Sequence, residues 1–390
     1  MRRLITRFVD AFKKCDLVLL LLCAVATAFG CLMIASATNA TTEGFLRYLL
    51  VQIGASLAGI ILYVLISSID TETLAEHRTA MVILNTFLLL LLWTPFGKEV
   101  SGNRSWLDFP LLPFNIQPAE ICKITYVLIM ASVMVSRQNK LSKISSVMLM
   151  VAHLVMVAGL NWVISGDAGV SLIFVGIFVG MAFAGGVNLL WFGAAIVGIG
   201  AAFPILWNVV MDRYQRRRFE VLINPGLDPN GTEERYQTVR ALRSLTGGGM
   251  TGQGLFQGHR TQTNGALFAQ HTDFILCAIG EELGFVGCVL VLLLLFLIVA
   301  RCIQVGMRSQ DMLRRLVCFG VASALIFQIF VNVGMCVEVV PVIGLTLPFI
   351  SYGGSSIITL YMMMGLVSAV HAHPHATSQE RYIRPPLDHI

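Results

Sequence analysis

A carboxylate lies where the longest polar segment of the chain meets a strongly apolar run, in the motif His271-Thr-Asp273-Phe. An Asp at the start of a helix can accept hydrogen bonds from the first backbone N–H groups. A carboxylate that is partly desolvated at such a boundary can instead have a raised pKa and act as a general base. The residues alone leave both roles for Asp273 open, a helix cap and a catalytic base.

Two more carboxylates, Glu281 and Glu282, follow Asp273 inside the apolar run. One of them falls roughly on the helix face of Asp273. Carboxylates within a bilayer are costly unless they are paired or hydrated. We therefore expect Glu281 and Glu282 to form a structural ion pair inside a helix bundle rather than to take part in catalysis.

Two other motifs place charged residues at the edges of apolar runs. In Gln117-Pro-Ala-Glu120-Ile-Cys-Lys123 the carboxylate and the amine are three residues apart, so Glu120 and Lys123 can pair on one helix face. In Ser165-Gly-Asp167-Ala the carboxylate lies between two runs. Asp167 is either a helix cap or a polar group of a site.

Arginines provide the candidate anion-binding groups. Arg47 and Arg104 stand in short segments between apolar runs. Each either extends its charged end to the membrane surface or binds a phosphate, whose oxygens match the guanidinium geometry. A denser cluster begins with Arg213 and Arg216 and continues through residue 218. It is either an interfacial anchor or a site for a lipid diphosphate on the outer leaflet.

These residues must be positioned by membrane helices, because 56% of the 390 residues are hydrophobic and only 13% are charged. Soluble domains carry about 25% charged residues, and a spanning helix needs roughly 20 apolar residues. The sequence predicts an all-α integral membrane protein of about ten transmembrane helices. The predicted spans are 16–37, 45–69, 79–95, 116–136, 144–165, 167–186, 188–208, 273–300, 313–337 and 346–370.

Basic residues in short loops predict the orientation, since they favour the cytoplasmic side. With both termini cytoplasmic, the inner segments hold fifteen Lys and Arg and the short outer loops hold three. Residues 209–271 then form a long extracellular loop between helices 7 and 8, in which residues 236–245 are expected to form a short amphipathic helix. We interpret residues 1–390 as a single membrane domain without a cleaved signal peptide.

The composition also argues against several classes of site. None of the nine cysteines forms a C-x-x-C pair, and no His, Cys and Asp cluster has metal-site spacing. We expect free, buried thiols. The formal charge of +5 is modest, and no basic and aromatic pattern indicates a nucleic-acid partner. We therefore expect the protein to be surrounded by the membrane and to bind no nucleic acid.

Taken in order, the motifs closely resemble those of the SEDS family (shape, elongation, division and sporulation), whose bacterial members include FtsW, RodA and SpoVE. The similarity covers nearly the whole chain. The family commonly has Arg and Trp adjacent, whereas Ser105 separates Arg104 from Trp106 here. The matching motifs are Gly102…Arg104…Trp106-Leu, Gln117-Pro-Ala-Glu120…Lys123, Asp167-Ala-Gly169, Gly247-Gly-Gly…Gly252-Gln-Gly, His271-Thr-Asp273-Phe…Glu281-Glu-Leu-Gly284 and Leu347-Pro-Phe-Ile-Ser-Tyr-Gly-Gly-Ser-Ser356.

The resemblance implies a ten-helix peptidoglycan glycosyltransferase of the bacterial cytoplasmic membrane. Such enzymes polymerise lipid II at the outer face and work with a class B penicillin-binding protein. The essential Asp of the family falls on Asp273, and its Glu/Lys pair falls on Glu120 and Lys123. Asp273 would take the proton of the acceptor 4-hydroxyl in a single inverting displacement.

The remaining candidates would bind substrate, and cations would stabilise the departing diphosphate. A divalent cation, Mg or Mn, could assist, although nothing in the sequence requires a cofactor. The alternative function is a lipid II flippase or another transporter of polyprenyl-linked sugars; a non-catalytic scaffold is a third. Division, elongation and sporulation members are not distinguished by the motifs. The candidate substrate-binding residues are Arg47, Arg104, Glu120, Lys123, Asp167, Arg213, Arg216 and His271.

Overall fold

The computed structural model describes most of the chain. The described residues are 12–39, 44–100, 102–109, 114–211, 213–229, 231–232, 235–263, 265–267 and 269–373.

Helices make up most of the described structure. In chain order they are α1 (Leu17–Thr38), α2 (Phe45–Ser67), α3 (Thr71–Glu76), α4 (Arg78–Leu90), α5 (Pro118–Ser136), α6 (Ile144–Ser165), α7 (Ala168–Ala184), α8 (Leu189–Val209), α9 (Arg213–Ile223), α10 (Tyr236–Gly247), α11 (Ile275–Arg308), α12 (Met312–Cys336) and α13 (Gly354–Ala372). Single 3₁₀ turns cover Leu91–Trp93, Gln138–Lys140 and Pro225–Leu227, and π-helical stretches cover Val155–Gly159 and Leu206–Val210.

Each predicted span contains a helix at nearly the predicted position. Eight helices in the described part of the chain are long and apolar enough to cross a membrane, namely α1, α2, α5, α6, α8, α11, α12 and α13. The other two predicted spans correspond to shorter apolar helices, α4 with its 3₁₀ turn and α7. The predicted class of helical membrane protein is confirmed, and the count of ten crossings stays a prediction.

The last predicted span is shorter than expected, because α13 begins at Gly354 and not near residue 346. Phe349 has a positive φ of 64°, which a helix does not allow. The backbone N–H of Leu347 donates to Ser351 Oγ (2.8 Å), and the N–H of Tyr352 donates to the carbonyl of His271 (2.8 Å). Backbone groups expected to bond within a helix are thus used to hold a loop beside the His271 motif.

The long segment between α8 and α11 is largely ordered into elements of its own. It contains α9 and α10, and α10 confirms the short amphipathic helix predicted from residue 236. Its glycine-rich part runs alongside a break in α11 at Gly284, where φ is 67° and ψ is −166°. The N–H groups of Phe285 and Val286 donate to the carbonyls of Gly249 (2.9 Å) and Met250 (3.2 Å). The loop therefore supplies acceptors that the broken helix lacks.

Glu281 and Glu282 are fully buried beside this break, but the expected ion pair is wrong. Glu281 accepts hydrogen bonds from the N–H groups of Arg260 and Thr261, both at 2.9 Å. Glu282 accepts from the hydroxyl of Ser36 (2.6 Å) and from Gln262 Nε2 (3.0 Å). Among the described residues, these carboxylates are thus stabilised by loop N–H and O–H groups rather than by a cation.

A short β-hairpin precedes α5 and was not predicted. Strands β1 (Gly97–Val100) and β2 (Asn103–Leu107) pair in antiparallel fashion, with Gly97 opposite Leu107. A Cβ on Gly97 would collide with the carbonyl of Leu92, so glycine permits the close approach of the hairpin to the end of α4.

Ion pairs fasten the opposite end of the bundle, where α1 begins and α11 ends. Asp16 accepts hydrogen bonds from Arg301 Nε (2.8 Å) and Nη2 (3.0 Å). The fully buried Arg314 of α12 pairs with Asp70 at 2.8 Å. The nine cysteines are free, as predicted, and all but Cys31 are buried. Asp273 and the candidate site lie at one end of the bundle. At the opposite end, these ion pairs connect the helices.

Candidate functional site

Asp273 lies immediately before α11, but it does not cap that helix. The N-cap residue is Phe274, and no side-chain cap bond is present. The side chain is half-buried. Burial, and secondarily the negative charge of Asp167, raises the pKa of Asp273 to about 6, while a hydrogen bond with Thr272 opposes the shift. Asp273 is therefore suited to accept a proton near neutral pH.

The backbone around Asp273 is held by the non-helical connection between α12 and α13. We call its residues 338–345 the strap. Asn332, fully buried in α12, donates from Nδ2 to the carbonyls of Asp273 (2.8 Å) and Leu345 (2.6 Å). A Cβ on Gly344 would lie 3.8 Å from Asp273 Oδ2. One amide thus ties the strap to the Asp273 backbone, and the strap borders the carboxylate.

His271 lies in an aromatic cluster on the other side of the motif. Its ring centroid is 4.8 Å from that of Tyr48 and 5.8 Å from that of Tyr352. Burial lowers the pKa of His271, which favours the neutral imidazole. Arg47, which is exposed, partly offsets the rise in the pKa of Tyr352 caused by burial and by Tyr48. The structure thus brings Arg47 and His271 to the same aromatic cluster.

Asp167 caps α7 and also binds groups from two other elements. Its Oδ1 accepts from the N–H of Val170 (3.0 Å). Its Oδ2 accepts from Gln117 Nε2 (3.1 Å) and from the hydroxyl of Ser105 (3.4 Å). Burial is the largest cause that raises the pKa of Asp167, and the charge of Glu120 adds to it. The structure confirms the cap, and the contacts with Gln117 and Ser105 keep the second role of Asp167, as a polar group of a site, a prediction.

Glu120 and Lys123 form the predicted ion pair at 2.8 Å, and both are buried. The second carboxylate oxygen of Glu120 accepts from the Thr359 hydroxyl of α13 (2.9 Å). Electrostatic interactions link Glu120 to Asp167 and Asp167 to Asp273. Three carboxylates from separate motifs therefore belong to one connected polar region.

Arg104 is held away from this region by the hairpin. Its Nη2 donates to the carbonyl of Thr94 at 3.0 Å, and its Nε is buried without a partner among the described residues. Ser105, the residue that interrupts the Arg-Trp spacing, points to Asp167 instead. Alternation along β2 was the signal that could have identified Ser105, because adjacent strand residues face opposite sides.

The two candidates of the arginine cluster lie on α9. Arg213 is exposed, and Arg216 is partly buried with an Nε that has no partner among the described residues. The same helix contacts the strap through Arg218, whose Nη1 donates to the carbonyl of Val342 at 2.7 Å. This helix thus lies against the strap that borders Asp273.

The donor set does not favour a resident metal ion. Among the described residues no group of three or more His, Cys, Asp or Glu side chains is arranged to hold one. Both oxygens of Asp167 already accept N–H or O–H hydrogen bonds.

The family model of the FtsW, RodA and SpoVE cell cycle proteins matches residues 16–376. The chain belongs to this family. It is the SEDS family that the motifs resemble, and the resemblance is confirmed.

Relatives of this SEDS protein are similar over most of their length. A probable peptidoglycan glycosyltransferase FtsW of Geobacter metallireducens is 32% identical over 375 residues, 94% of this chain and 96% of that protein. Peptidoglycan glycosyltransferase MrdB of Escherichia coli is 32% identical over 329 residues, 83% of this chain and 85% of that protein. Both relatives are named peptidoglycan glycosyltransferases, which is the enzyme class predicted from the sequence.

Solved structures share the fold. One, described as the structural coordination of polymerization and crosslinking by a peptidoglycan synthase complex, has a chain 27% identical to this one. The TM-score is 0.74, and the match covers 95% of this chain and 99% of that chain. The rod shape determining protein RodA of Thermus thermophilus is 25% identical with a TM-score of 0.68, over 93% of this chain and 98% of that chain. The helix arrangement of this SEDS protein is therefore a RodA-like fold.

Proposed function

We propose that this protein polymerises lipid II into glycan strands, with Asp273 as the general base. The observation that carries the assignment is the state of the Asp273 carboxyl group. It caps no helix, lies half-buried beside the strap, and has a pKa raised to about 6. Such a carboxylate is ionised at neutral pH and still basic enough to accept a proton in the transition state.

The reaction needs one proton acceptor and one anion stabiliser. Asp273 takes the proton of the acceptor 4-hydroxyl while that oxygen bonds to the anomeric carbon of the donor. The bond from that carbon to the undecaprenyl diphosphate breaks, and the diphosphate leaves with the bonding electrons. A single displacement converts the α-linkage of the donor into a β-linkage in the product.

Cations near the Asp273 motif are suited to the departing diphosphate. Arg47 stands by the aromatic cluster of His271, and Arg213 and Arg216 lie on the helix that contacts the strap. Lys123 is buried in its pair with Glu120, so we assign that pair to support of the polar region. Arg104 donates to the carbonyl of Thr94, so we assign it to support of the hairpin.

The cellular setting belongs to the same proposal. We place the chain, as a single multi-pass domain, in the bacterial cytoplasmic membrane, with the Asp273 end of the bundle at the outer face and both termini in the cytoplasm. The relative in the solved synthase complex supports a partner that crosslinks the glycan, and we propose a class B penicillin-binding protein. A divalent cation is not needed for the steps above.

The test is polymerisation of purified lipid II by the purified protein, with and without the partner. Asp273→Asn keeps the side-chain volume and removes the base, so the rate is expected to fall at least about 100-fold. Asp108→Asn, at an exposed aspartate that pairs with Lys98, is the matched control and should retain the rate. Wild-type polymer yield from a folded Asp273→Asn protein would overturn the assignment.

A further inference from the structure

A cavity of about 650 Å³ opens beside the strap. This volume falls in the range of roughly 300–1,000 Å³ that is typical of small-ligand sites. One wall comes from the end of α9, a second from the start of α10, and a third from the strap. Its apolar lining residues are Val221, Leu222, Pro225, Val340, Pro341 and Val342.

The cavity lies next to the candidate general base. Val342 lines it, and Gly344, two residues further along the strap, borders Asp273 Oδ2. Two residues of extended chain span at most about 7 Å. A ligand in the cavity is thus separated from the Asp273 carboxylate by little more than the strap.

The polar side of the cavity carries two arginines and one carboxylate, Arg218, Arg235 and Glu338. Arg235 Nη2 pairs with Glu338 Oε2 at 3.0 Å, and Arg218 donates to the carbonyl of Val342. Glu338 Oε1 is buried without a hydrogen-bond partner among the described residues. Glu338 also has a positive φ of 56°, a strained conformation that often marks a functional position.

We propose that this cavity binds a neutral saccharide unit of the glycan, next to the unit that reacts at Asp273; the identity of the glycan rests on the proposed function. The Glu338 side chain, which is 17% exposed, turns its unpaired Oε1 toward the cavity to accept a sugar hydroxyl, and the apolar walls contact the C–H faces of the ring. A diphosphate fits less well, because Glu338 already pairs with Arg235 and would repel the phosphates, while Arg218 donates to the carbonyl of Val342.

Binding of a neutral, lipid-free tetrasaccharide of N-acetylglucosamine to the full-length protein in nanodiscs tests the proposal without requiring turnover. Leu222→Trp fills the cavity and is expected to weaken binding by tenfold or more. Glu338→Gln removes a charged acceptor and should weaken it roughly tenfold. Ile223→Trp, at a neighbouring side chain that is 81% exposed, is the matched control and should bind like the wild type.

Three results would overturn the proposal: no tetrasaccharide binding by the wild type at millimolar concentration, equal binding by folded Leu222→Trp or Glu338→Gln, or displacement of the tetrasaccharide by inorganic pyrophosphate. The last would assign the cavity to the diphosphate. Lipid II polymerisation by the same wild-type sample separates the two proposals. Polymerisation without saccharide binding would contradict the cavity assignment alone. Saccharide binding without polymerisation would contradict the proposed reaction alone.

Discussion

Asp273 differs from the other buried or half-buried carboxylates near the site in what its oxygens contact. Glu120 is paired with Lys123, and the Oδ2 of Asp167 accepts from Gln117 and Ser105. Asp273 is held by its backbone carbonyl, which accepts from Asn332, and its carboxylate interacts only with the neighbouring Thr272 among the contacts described above. That division of roles leaves a base available to an incoming hydroxyl.

The pH dependence of the reaction should respond to Asp167. Because the free base is the deprotonated form, kcat/KM is expected to rise with pH through about 6, the pKa of Asp273. The charge of Asp167 contributes to raising that pKa. Asp167→Asn keeps a cap acceptor but removes the charge, so the acid limb of the kcat/KM profile should move to lower pH. Asp108→Asn is the control, and an unmoved limb in Asp167→Asn would refute the coupling.

Asn332 is expected to be a positioning residue. Asn332→Ala leaves two buried carbonyls without their donor, which costs roughly 1–3 kcal/mol of stability, and it frees the Asp273 backbone. We expect kcat to fall about tenfold or more while KM changes little. Gln328→Ala removes a similar bond from the same helix to the residue that follows the strap, Nε2 to the Thr346 carbonyl at 2.9 Å, without touching Asp273. Equal kcat losses in the two variants would reduce Asn332 to a structural role.

At the scale of elements, the glycine-rich loop packs against α11 where that helix is broken at Gly284. A Cβ on Gly284 would collide with the backbone N–H of Gly252 and the carbonyl of Met250, and the positive φ is strained for any other residue. Gly284→Ala should therefore lower the thermal unfolding temperature by several degrees and increase protease cleavage of the glycine-rich loop. Gly54→Ala, in α2 with open space around it, is the control and should be neutral.

The elements differ in how far the sequence predicts them. Apolar runs of about 20 residues place α1, α2, α5 and α6 almost to the residue, because desolvated backbone must form helix. The late start of α13 was missed, because backbone groups there bond to residues distant in sequence, such as Tyr352 N–H to His271. The hairpin pairs locally, but β1 is short and mostly exposed and shows no alternation of apolar residues. Pairing of Glu120 with Lys123 was predictable since it is local.

The same limit applies to the site. Motif residues indicate which side chains matter, but they do not say what each contacts. Ser105 reaches Asp167 while Arg104 turns back to Thr94, and Asn332 comes from an apolar helix with no motif of its own. Long-range contacts of this kind are visible only once the helices are assembled.

At the scale of the whole molecule, the two ends of the bundle are chemically distinct. One end carries the site and the long loop, and the other is fastened by Asp16–Arg301 and Arg314–Asp70. If the site end faces outward, Lys98→Cys in the exposed part of β1 should react with a membrane-impermeant maleimide in intact cells. Lys140→Cys, exposed at the opposite end, should react only after permeabilisation. The wild type, whose cysteines are buried or half-buried, supplies the background, and the reverse labelling would invert the orientation.

The interlocked backbone at Gly284 also bears on how chain length can vary among related sequences. Residues 249–254 donate to or accept from four peptide groups on both sides of the break. Inserting or deleting one residue there would shift every partner and leave several peptide groups unpaired in an apolar setting. The hydrogen bonds of the turn around Asn224–Asp228 instead reach near neighbours in sequence, such as Glu220, Gly231 and Arg235. Insertions and deletions should therefore accumulate at that turn, while the spacing between Gly249 and Gly254 stays constant.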